Sequence, residues 1–511
     1  MSAHWTIQDA DLDEVIRLSA FVALFLRPGD IIALSGALGA GKTTFARGVV
    51  RAILKDDAHD IPSPTFALVQ SYEQGRLPIA HIDCYRMEGA DELREIGFDD
   101  ALISGAALVE WPERVAQHLP ADRLEIALTD GSSEHLRNVT IKGHGVWKPR
   151  ANRLKAMMNF CSGTEWARAT PLFLQGDAST RAYARLLRNG DTVVLMDSPA
   201  RPDGAPVRDG KPYSQLVHLA ENVKPFVAIA GALGEAGLSV PRILAHDLES
   251  GFLIMEDLGD RVFTTEPGND PSLDGLYAAA VDVLAHLKNH PPVSPLSLPA
   301  GEKYTLHAYD QETLEFEAEL LLDWFYPAVH GHAAGDDARN TYLDTLRPLL
   351  GSVIGQDEDW VLRDYHSPNL LWLPDLEGIA QVGVIDFQDA LVGHAAYDLV
   401  ALLQDARRDI PEDLEGRLFA HYCRARARTE AGFDLASFSA AYAVLGAQRN
   451  CKILGIFTRL AKRDGKHDYL AHIPRVSGYL ERNLAHPRLE QLRAWFGKNL
   501  PADLRAKPFN S

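Results

Sequence analysis

The octapeptide GALGAGKT at residues 36–43 is the stretch that most constrains how the first part of this chain can fold. It matches the pattern GxxxxGKT completely. A short apolar run at 29–35 precedes it, and residues from 43 onward have the apolar spacing of a helix. Strand, glycine-rich loop and helix in this order form a cradle where backbone amides and the helix N-terminus bind phosphate. The motif predicts a nucleotide-binding α/β domain.

Each residue type in this loop has its own function in binding phosphate or magnesium. Glycines let the backbone amides turn toward phosphate oxygens, the lysine supplies a positive charge, and the threonine hydroxyl can hold magnesium. The predicted nucleotide-binding residues are Gly36, Gly39, Gly41, Lys42, Thr43 and Thr44, with Thr43 also a magnesium ligand. The alternative is a glycine turn that binds nothing, and the complete motif in this context argues against it.

A site of this kind needs an acidic residue at the end of a neighbouring strand. Two candidates follow apolar runs: Asp83 ends IAHID, and Glu110 ends AALVE. Both can point toward the phosphates, because ligands bind at the carboxyl edge of a parallel sheet. For either residue alone, a solvated strand-end acid is the alternative.

Length and charge narrow the class of protein. A chain of 511 residues predicts three or so domains, at roughly 100 to 200 residues each. The net charge of −19 argues against a protein that wraps nucleic acid over its whole surface. No apolar run approaches the roughly 20 residues that span a bilayer. The N-terminus has acidic residues where a signal peptide has a basic start. We therefore expect a cytoplasmic protein without membrane contact.

The cysteines point to neither a disulfide framework nor a zinc site, because none are in CxxC spacing. They are Cys84, Cys161, Cys423 and Cys451.

A second chemical pattern stands in RDYHSPN (363–369), which VIDFQD (384–389) follows. Phosphoryl transfer needs a carboxylate that orients and deprotonates the attacking hydroxyl, and oxygen ligands for magnesium on the phosphates. Asp364 is therefore the predicted catalytic base, and Asn369 and Asp386 are predicted magnesium ligands. ATP and Mg²⁺ are the expected cofactors. Turn-capping and strand-end roles are the alternative for each residue taken singly.

The N-terminal motifs resemble the TsaE family, the small ATPases of bacterial tRNA threonylcarbamoyladenosine synthesis. Five segments match in order: GALGAGKTTFARG, SPTFALVQSY, HIDCYRM, DELREIGFDD and LVEWPERV. The resemblance implies ATP hydrolysis that supports modification of adenosine 37 of tRNA. TsaD- and TsaB-like proteins are the implied partners, and tRNA is reached only indirectly.

This resemblance also implies individual roles. Glu110 completes the magnesium site, and Asp83 is a catalytic acid near the γ-phosphate. Thr65 is a switch-like residue, and Trp111 lies near the nucleotide or the partner surface. Plain packing is the alternative for Thr65 and Trp111.

The C-terminal motifs resemble the aminoglycoside phosphotransferase superfamily and, within it, the AmgK family of amino-sugar kinases. The segments that carry this resemblance are GDASTRAY, VVLMDSPA, FEAELLLDWF, RDYHSPNLLWLP, GVIDFQDALVGHAAYDLVALLQDARR and QRNCKILGIFTRLAKRDGK. They extend over roughly residues 165–485. The resemblance implies ATP-dependent phosphorylation of N-acetylmuramate or N-acetylglucosamine at position 1, a step of peptidoglycan recycling.

The resemblance to kinases also implies roles for further residues of the second site. His366 would brace the catalytic loop. A hairpin at 175–187 would cover the phosphates through Ser179 and Arg181, and the backbone near Glu256 and Leu258 would contact adenine. Because Met196 and Asp197 stand where kinases carry a phosphate-binding lysine, Arg181 or magnesium alone would balance that charge. Leu362 likewise replaces the histidine of the usual HRD triplet.

The aromatic residues Trp324 and Tyr326 offer possible stacking faces for a sugar, with a buried aromatic stripe as the favoured alternative. Two further functions stay open for the chain. One is a kinase of another small alcohol, such as an aminoglycoside, choline or homoserine. The other is a nucleotide-binding regulatory module without turnover.

The expected fold is an α/β P-loop NTPase domain followed by an α+β, bilobal, protein-kinase-like domain. Its predicted parts are the ATPase domain at 1–150, a linker at 151–165, a kinase N-lobe at 166–260 and a helical C-lobe at 261–511.

Overall fold

The computed structural model describes residues 3–87, 89–174, 181–201, 204–264 and 273–506. Two compact units divide the chain. Unit 1 comprises Met1–Pro199 and Leu244–Asp257, and unit 2 comprises Ala200–Ile243 and Leu258–Ser511. In the described parts of both units, no helix is long and apolar enough to cross a membrane.

The N-terminal part of unit 1 is a seven-stranded sheet with helices. Its strands are β1 (His4–Ala10), β2 (Ile31–Ser35), β3 (Val69–Tyr72), β4 (Ile79–Asp83), β5 (Ala106–Glu110), β6 (Leu124–Asp130) and β7 (Arg137–Gly143). Its helices are α1 (Leu12–Phe25), α2 (Lys42–Leu54), α3 (Ala90–Glu95), α4 (Phe98–Ser104) and α5 (Trp147–Ser162). The strand order is β1-β7-β6-β2-β5-β4-β3.

The strand before the glycine-rich loop lies at the centre of this sheet. β2 pairs in parallel with both β5 and β6, and β5 pairs in parallel with β4. Every residue of β4 and β5 is buried, as is typical of parallel strands covered on both faces. The carboxyl ends of β2, β4 and β5 therefore meet at one edge.

The next segment contributes to both units. Its strands are β8 (Thr170–Leu174), β9 (Ala182–Arg188), β10 (Asp191–Asp197), β11 (Pro206–Arg208), β12 (Lys211–Pro212), β13 (Ile243–Asp247) and β14 (Phe252–Glu256), and its helices are α6 (Tyr213–Leu216) and α7 (Lys224–Glu235). A five-stranded sheet has the order β13-β14-β10-β9-β8. Strands β8, β9 and β10 follow one another along the chain and pair in antiparallel fashion.

Helix α5 occupies most of residues 151–165, the segment expected to be a linker. Its buried side chains Leu154 and Met157 belong to one hydrophobic cluster with Leu195 and Phe252 of the five-stranded sheet. The same cluster contains the core of the seven-stranded sheet. The two sheets of unit 1 therefore share a core, and α5 is part of it.

Unit 2 is largely helical. Its remaining helices are α8 (Leu273–Leu287), α9 (Gln311–Leu320), α10 (Tyr326–His330), α11 (Asp336–Gly351), α12 (Ala396–Leu403), α13 (Glu412–Thr429), α14 (Leu435–Asp464), α15 (Ile473–Leu484), α16 (Glu490–Asn499) and α17 (Ala502–Arg505). Its remaining strands are β15 (Leu296–Ser297), β16 (Lys303–Tyr304), β17 (Glu358–Val361), β18 (Leu370–Trp372), β19 (Val382–Val384) and β20 (Leu391–His394). Two short antiparallel pairs, β17–β20 and β18–β19, frame the stretch that carries Asp364, Asn369 and Asp386.

Candidate active sites

The glycine-rich loop of unit 1 has a backbone that only glycine adopts easily. Gly36, Gly39 and Gly41 have φ angles of +142°, +82° and +104°. A Cβ atom on Gly36 would lie 2.4 Å from the carbonyl oxygen of Leu128, so a side chain cannot be accommodated there without a shift of the backbone. Helix α2 starts directly after this loop, which places its N-terminus at the loop's interior.

Lys42 lies inside the loop. Its Nζ donates to the carbonyl oxygens of Gly36 and Ala37, both at 2.9 Å. The same ammonium lies 3.6 Å from the centroid of the Trp111 ring, a cation–π contact. Burial lowers the pKa of Lys42, although Glu110 opposes this. The lysine thus lies inside the glycine-rich loop with Trp111 beside it, and the nucleotide contacts of both residues stay predictions.

The carboxylate of Glu110 contacts both Thr43 and His81. Its Oε2 accepts a hydrogen bond from Thr43 Oγ1 at 3.0 Å, and its Oε1 lies 2.9 Å from Nε2 of His81. All atoms of His81 are buried. The imidazole fixes one carboxylate oxygen, which leaves the other to meet Thr43. His81 was not singled out from the sequence, although a histidine two positions before Asp83 in a buried strand was a signal.

Asp83 lies next to Glu110, since the two residues are register partners on β4 and β5. Its Oδ2 accepts a hydrogen bond from Thr65 Oγ1 at 2.9 Å, and its Oδ1 accepts one from the backbone N–H of Tyr85 at 2.9 Å. The structure therefore brings both candidate acids and Thr65 together at one edge. Thr44, in contrast, lines a cleft of about 1060 Å³ bordered by α1, β8 and the β9–β10 turn.

The second candidate site is the loop between β17 and β18 in unit 2. The carboxylate of Asp398 accepts hydrogen bonds from the backbone N–H groups of Leu362 and Arg363. Arg363 has a φ of +69°, in the left-handed region that side chains rarely adopt. Asp398, which sequence reasoning missed, thus anchors the loop where Leu362 replaces the expected histidine.

Asn369 connects the backbone of Asp364 to the carboxylate of Asp386. Its Nδ2 donates to the backbone carbonyl oxygen of Asp364 at 3.0 Å and to Oδ2 of Asp386 at 3.4 Å. Asp386 has a φ of +61°, and Gln388 donates to its Oδ1 at 3.0 Å. The three residues predicted from spacing therefore lie together.

The side chain of Asp364 is 46% exposed, so an acceptor hydroxyl can reach its carboxylate. Burial of the loop opposes ionisation, but nearby positive charges, among them Lys452 and Arg363, outweigh it and hold the pKa of Asp364 below its ordinary value. Asp364 is thus an ionised carboxylate at neutral pH, as a proton acceptor must be.

His366 is buried beside this carboxylate. Its Nε2 lies 2.9 Å from Nη1 of Arg407 and 3.9 Å from Oδ1 of Asp364. Burial and the charge of Arg407 lower the pKa of His366, which keeps the imidazole neutral at pH 7. The adjacent Ser367 N–H donates to Asp405 at 3.0 Å. These contacts agree with a bracing function for His366, which stays a prediction.

A buried ionic network supports the loop from below. The Arg363 guanidinium binds Glu317 and donates to the carbonyl oxygen of Val217 at 2.7 Å. Lys452 Nζ lies 2.7 Å from Oε1 of the same glutamate. Two cations thus share one buried carboxylate, and they hold the pKa of Glu317 low against the effect of burial. Sequence reasoning did not find this network, because its members lie far apart in the chain.

At the position where kinases carry a phosphate-binding lysine, the five-stranded sheet has Met196. This side chain is almost fully buried, and the carboxylate of Asp197 accepts from the Arg153 guanidinium of α5 at 2.9 Å. Glu256 ends β14, half-buried, and Leu258 follows in unit 2, also half-buried. Arg181 is half-buried at the start of β9. The nucleotide contacts assigned to these residues stay predictions, and Ser179 lies outside the described residues.

The aromatic residues considered for sugar stacking have different surroundings. Tyr326 is buried, and its ring centroid lies 4.3 Å from that of His330. Trp324 is half-buried in the π-helical turn Leu321–Phe325. The packing alternative is favoured for Tyr326.

The side chains at both sites are oxygen donors of the kind that bind magnesium. They do not form a site in which protein side chains supply all the metal ligands. Within the ranges that the structure describes, no group of three or more His, Cys, Asp or Glu residues could hold a metal ion. Thr43 with Glu110, and Asn369 with Asp386, instead pair one carboxylate with a neutral oxygen donor. Mg²⁺ is commonly bound through one or two carboxylates, with phosphate oxygens and water as the other ligands. The residues present therefore fit Mg²⁺ bound together with a nucleotide.

Comparison with known proteins separates the same two parts of the chain. Residues 10–139 match the family described as threonylcarbamoyl adenosine biosynthesis protein TsaE, and residues 171–432 match the phosphotransferase enzyme family. An N-acetylmuramate/N-acetylglucosamine kinase of Caulobacter vibrioides is 37% identical over 65% of this chain and 92% of its own length. A kinase of the same description from Pseudomonas putida is 33% identical over 62% of this chain and 84% of its own length. The TsaE protein of Bacillus subtilis is 36% identical over 26% of this chain and 82% of its own length.

Proposed function

Because the chain belongs to the TsaE family through its N-terminal part and to the phosphotransferase enzyme family through its C-terminal part, we propose that it is a bifunctional protein. Its C-terminal part transfers the γ-phosphoryl group of ATP to the 1-hydroxyl of N-acetylmuramate or N-acetylglucosamine, as a step of peptidoglycan recycling. Its N-terminal part hydrolyses ATP in support of tRNA threonylcarbamoyladenosine synthesis.

The observation that carries the kinase proposal is the cluster of Asp364, Asn369 and Asp386. The ionised carboxylate of Asp364 accepts the proton of the sugar hydroxyl, whose oxygen then attacks the γ-phosphorus while ADP leaves. The Asn369 side chain bonds the backbone of Asp364 and so fixes the loop that carries the base. Asp386 and the amide oxygen of Asn369 hold magnesium, which supplies positive charge to the phosphates.

Nucleotide contacts in this kinase are proposed at Ser179, Arg181, Glu256 and Leu258. With Met196 in the position of the usual lysine, the phosphates are neutralised by Arg181 and magnesium. His366 stays neutral and positions the loop by its contact with Arg407.

The kinase proposal is tested by product analysis with ATP and each amino sugar, in which wild type is compared with Asp364→Asn. Asparagine keeps the shape of the side chain but cannot take up a proton. We expect sugar 1-phosphate from wild type and a loss of at least roughly a hundredfold in kcat for the variant, the range of general-base contributions. Wild-type protein that phosphorylates neither sugar would contradict the proposed amino-sugar kinase activity.

The ATPase proposal is carried by the edge-sharing pair Asp83 and Glu110 beside the glycine-rich loop. Lys42 contacts the phosphates, and Thr43 with Glu110 holds magnesium. Asp83 orients the attacking water near the γ-phosphate. Thr65, which donates a hydrogen bond to Asp83, is a switch-like residue that responds to the nucleotide.

Partner proteins are proposed for the N-terminal part, of the TsaD and TsaB kind. Two large apolar side chains next to the site support this. Leu38 of the glycine-rich loop is 84% exposed, and Phe66, adjacent to Thr65, is 85% exposed. Contiguous apolar patches on a protein surface mark interaction sites, and we propose that these two side chains contribute to one. The contact with tRNA is made by the partners.

The ATPase proposal is tested by phosphate release from full-length protein carrying Asp364→Asn, so that the kinase is silent, with and without Lys42→Ala. We expect release to depend on Lys42, since the lysine is the cation inside the loop. The assay is run with TsaD- and TsaB-like proteins present. Equal release from both variants would contradict the proposal.

A further inference from the structure

Helix α14 carries a buried arginine, Arg449, that forms no hydrogen bond or salt bridge with the described residues. Arg449 is 4% exposed. Its Nη1 has no hydrogen-bond partner, and none of the hydrogen bonds and salt bridges of the described residues involves its guanidinium. A buried, unpaired charge is costly, because desolvation is not repaid by an opposite charge.

The neighbours of Arg449 are all engaged. Gln448 donates to the carbonyl oxygen of Leu314 at 3.0 Å, and Asn450 donates to Gln404 at 2.9 Å. Lys452, one helical turn later, forms the ion pair with Glu317. This turn of α14 is thus held in a fixed orientation, and Arg449 is the member of the turn whose guanidinium has no hydrogen-bond partner among the described residues.

Arg449 belongs to the surroundings of the catalytic loop. Lys452 and Arg363 share Glu317, and Arg363 directly precedes Asp364. The charge of Arg449 contributes to lowering the pKa values of both Asp364 and His366. The carboxylate of Asp398 is taken by two backbone N–H groups, and burial raises its pKa to about 7. It is therefore not a full counter-ion for Arg449.

We propose that Arg449 binds the carboxylate of the acceptor sugar and thereby makes this kinase prefer N-acetylmuramate over N-acetylglucosamine. The inference rests on the proposed kinase function. The two sugars differ by the lactyl ether, whose carboxylate is an anion that the fork of a guanidinium binds through two hydrogen bonds. Binding of that carboxylate pairs the buried charge.

The transferred phosphoryl group is a second anion near Asp364, but it is the same with either sugar. A contact of Arg449 with phosphoryl oxygens would therefore change both reactions equally. This difference separates the two anions by experiment.

The test measures kcat/KM for both sugars at saturating ATP, in wild type, Arg449→Met and Arg449→Lys. We expect the ratio of N-acetylmuramate to N-acetylglucosamine to fall by roughly ten- to a hundredfold in Arg449→Met, the range for loss of a hydrogen bond to a charged group. Lysine retains the charge without the fork, so Arg449→Lys should give an intermediate ratio. Arg463→Met is the matched control, because Arg463 lies on the same helix, is exposed and pairs only with its neighbour Asp464.

Three results would overturn the inference. An unchanged ratio in both Arg449 variants would exclude carboxylate recognition. An equal fall for both sugars would assign Arg449 to the phosphoryl group or to folding, and thermal denaturation of both variants distinguishes these. A wild-type protein inactive toward both sugars would remove the kinase proposal itself, which the Asp364→Asn comparison detects independently.

Discussion

Two residues of the kinase loop keep a backbone conformation that their side chains disfavour. Arg363 and Asp386 both have positive φ angles, each at a cost of about 1–3 kcal/mol. The surroundings offset this cost: Asp398 binds the N–H of Arg363, and Gln388 binds the carboxylate of Asp386. The loop is therefore fixed before substrate binds, so little reorganisation accompanies the reaction.

At the ATPase site, we predict that His81→Phe weakens magnesium-dependent hydrolysis. The imidazole orients Glu110, and loss of such an outer partner typically costs roughly 10- to 100-fold in metal affinity or activity. The measurement is the magnesium concentration that gives half-maximal phosphate release. His135→Ala is the control, because His135 is an exposed histidine of the same domain. A normal magnesium dependence in His81→Phe would contradict the assigned role of Glu110.

The sequence predicted the residues that follow local rules and missed those that act at a distance. The spacing of Lys42 and Thr43, and the offsets of Asp364, Asn369 and Asp386, are fixed by loop geometry and so can be recognised in one sequence. His81 and Asp398 act through contacts between distant segments, for which one sequence gives no spacing rule. Their burial, the main evidence for them, becomes visible only in the structure.

Among the elements, α5 departs most from what the sequence indicates. Its sequence WKPRANRLKAMMNFC is basic and weakly amphipathic, which favours the prediction of a linker. Two arginines in it are neutralised by distant carboxylates: Arg150 binds Asp30, and Arg153 binds Asp197. With its charges paired, the helix packs its apolar side chains on both sheets of unit 1. Phe160 stacks on Phe252 with ring centroids 5.7 Å apart.

We predict that a kinase fragment needs α5 for stability. A chain beginning at Gly145 keeps the helix, whereas one beginning at Gly163 loses it and exposes Leu195 and Phe252. Each fully buried apolar side chain contributes about 1.5–3 kcal/mol, so the shorter fragment should melt at a lower temperature or be insoluble. Both fragments expose the face of β8 that α1 covers, so their comparison isolates α5. Equal melting temperatures and equal sugar phosphorylation would show that α5 is a dispensable linker.

The whole molecule has two sites for phosphate chemistry on one chain, and each site has its own acidic residues. The α/β ATPase fold and the kinase-like fold predicted from motifs are confirmed by the two family matches. The shared core in unit 1 was not foreseen, since apolar strands show that they are buried but not against which partner. That core joins the seven-stranded sheet to the five-stranded sheet. For the molecule as a whole, the question is therefore whether nucleotide binding at one site changes the activity of the other site.

We predict that Lys42→Ala leaves sugar phosphorylation within about twofold of wild type, well inside the roughly tenfold change that 1.4 kcal/mol represents. The substitution removes hydrogen bonds within the glycine-rich loop, from Lys42 to Gly36 and Ala37. The apolar side chains of α5 and the five-stranded sheet keep their contacts, because Lys42 does not belong to the hydrophobic cluster that joins them. The first measurement is kcat/KM for sugar phosphorylation at saturating ATP in Lys42→Ala. The second tests the opposite direction and measures phosphate release in Asp364→Asn. If Lys42→Ala lowered kinase activity as strongly as it lowered ATP hydrolysis, the shared core would couple the two sites, and the fusion would have a regulatory purpose.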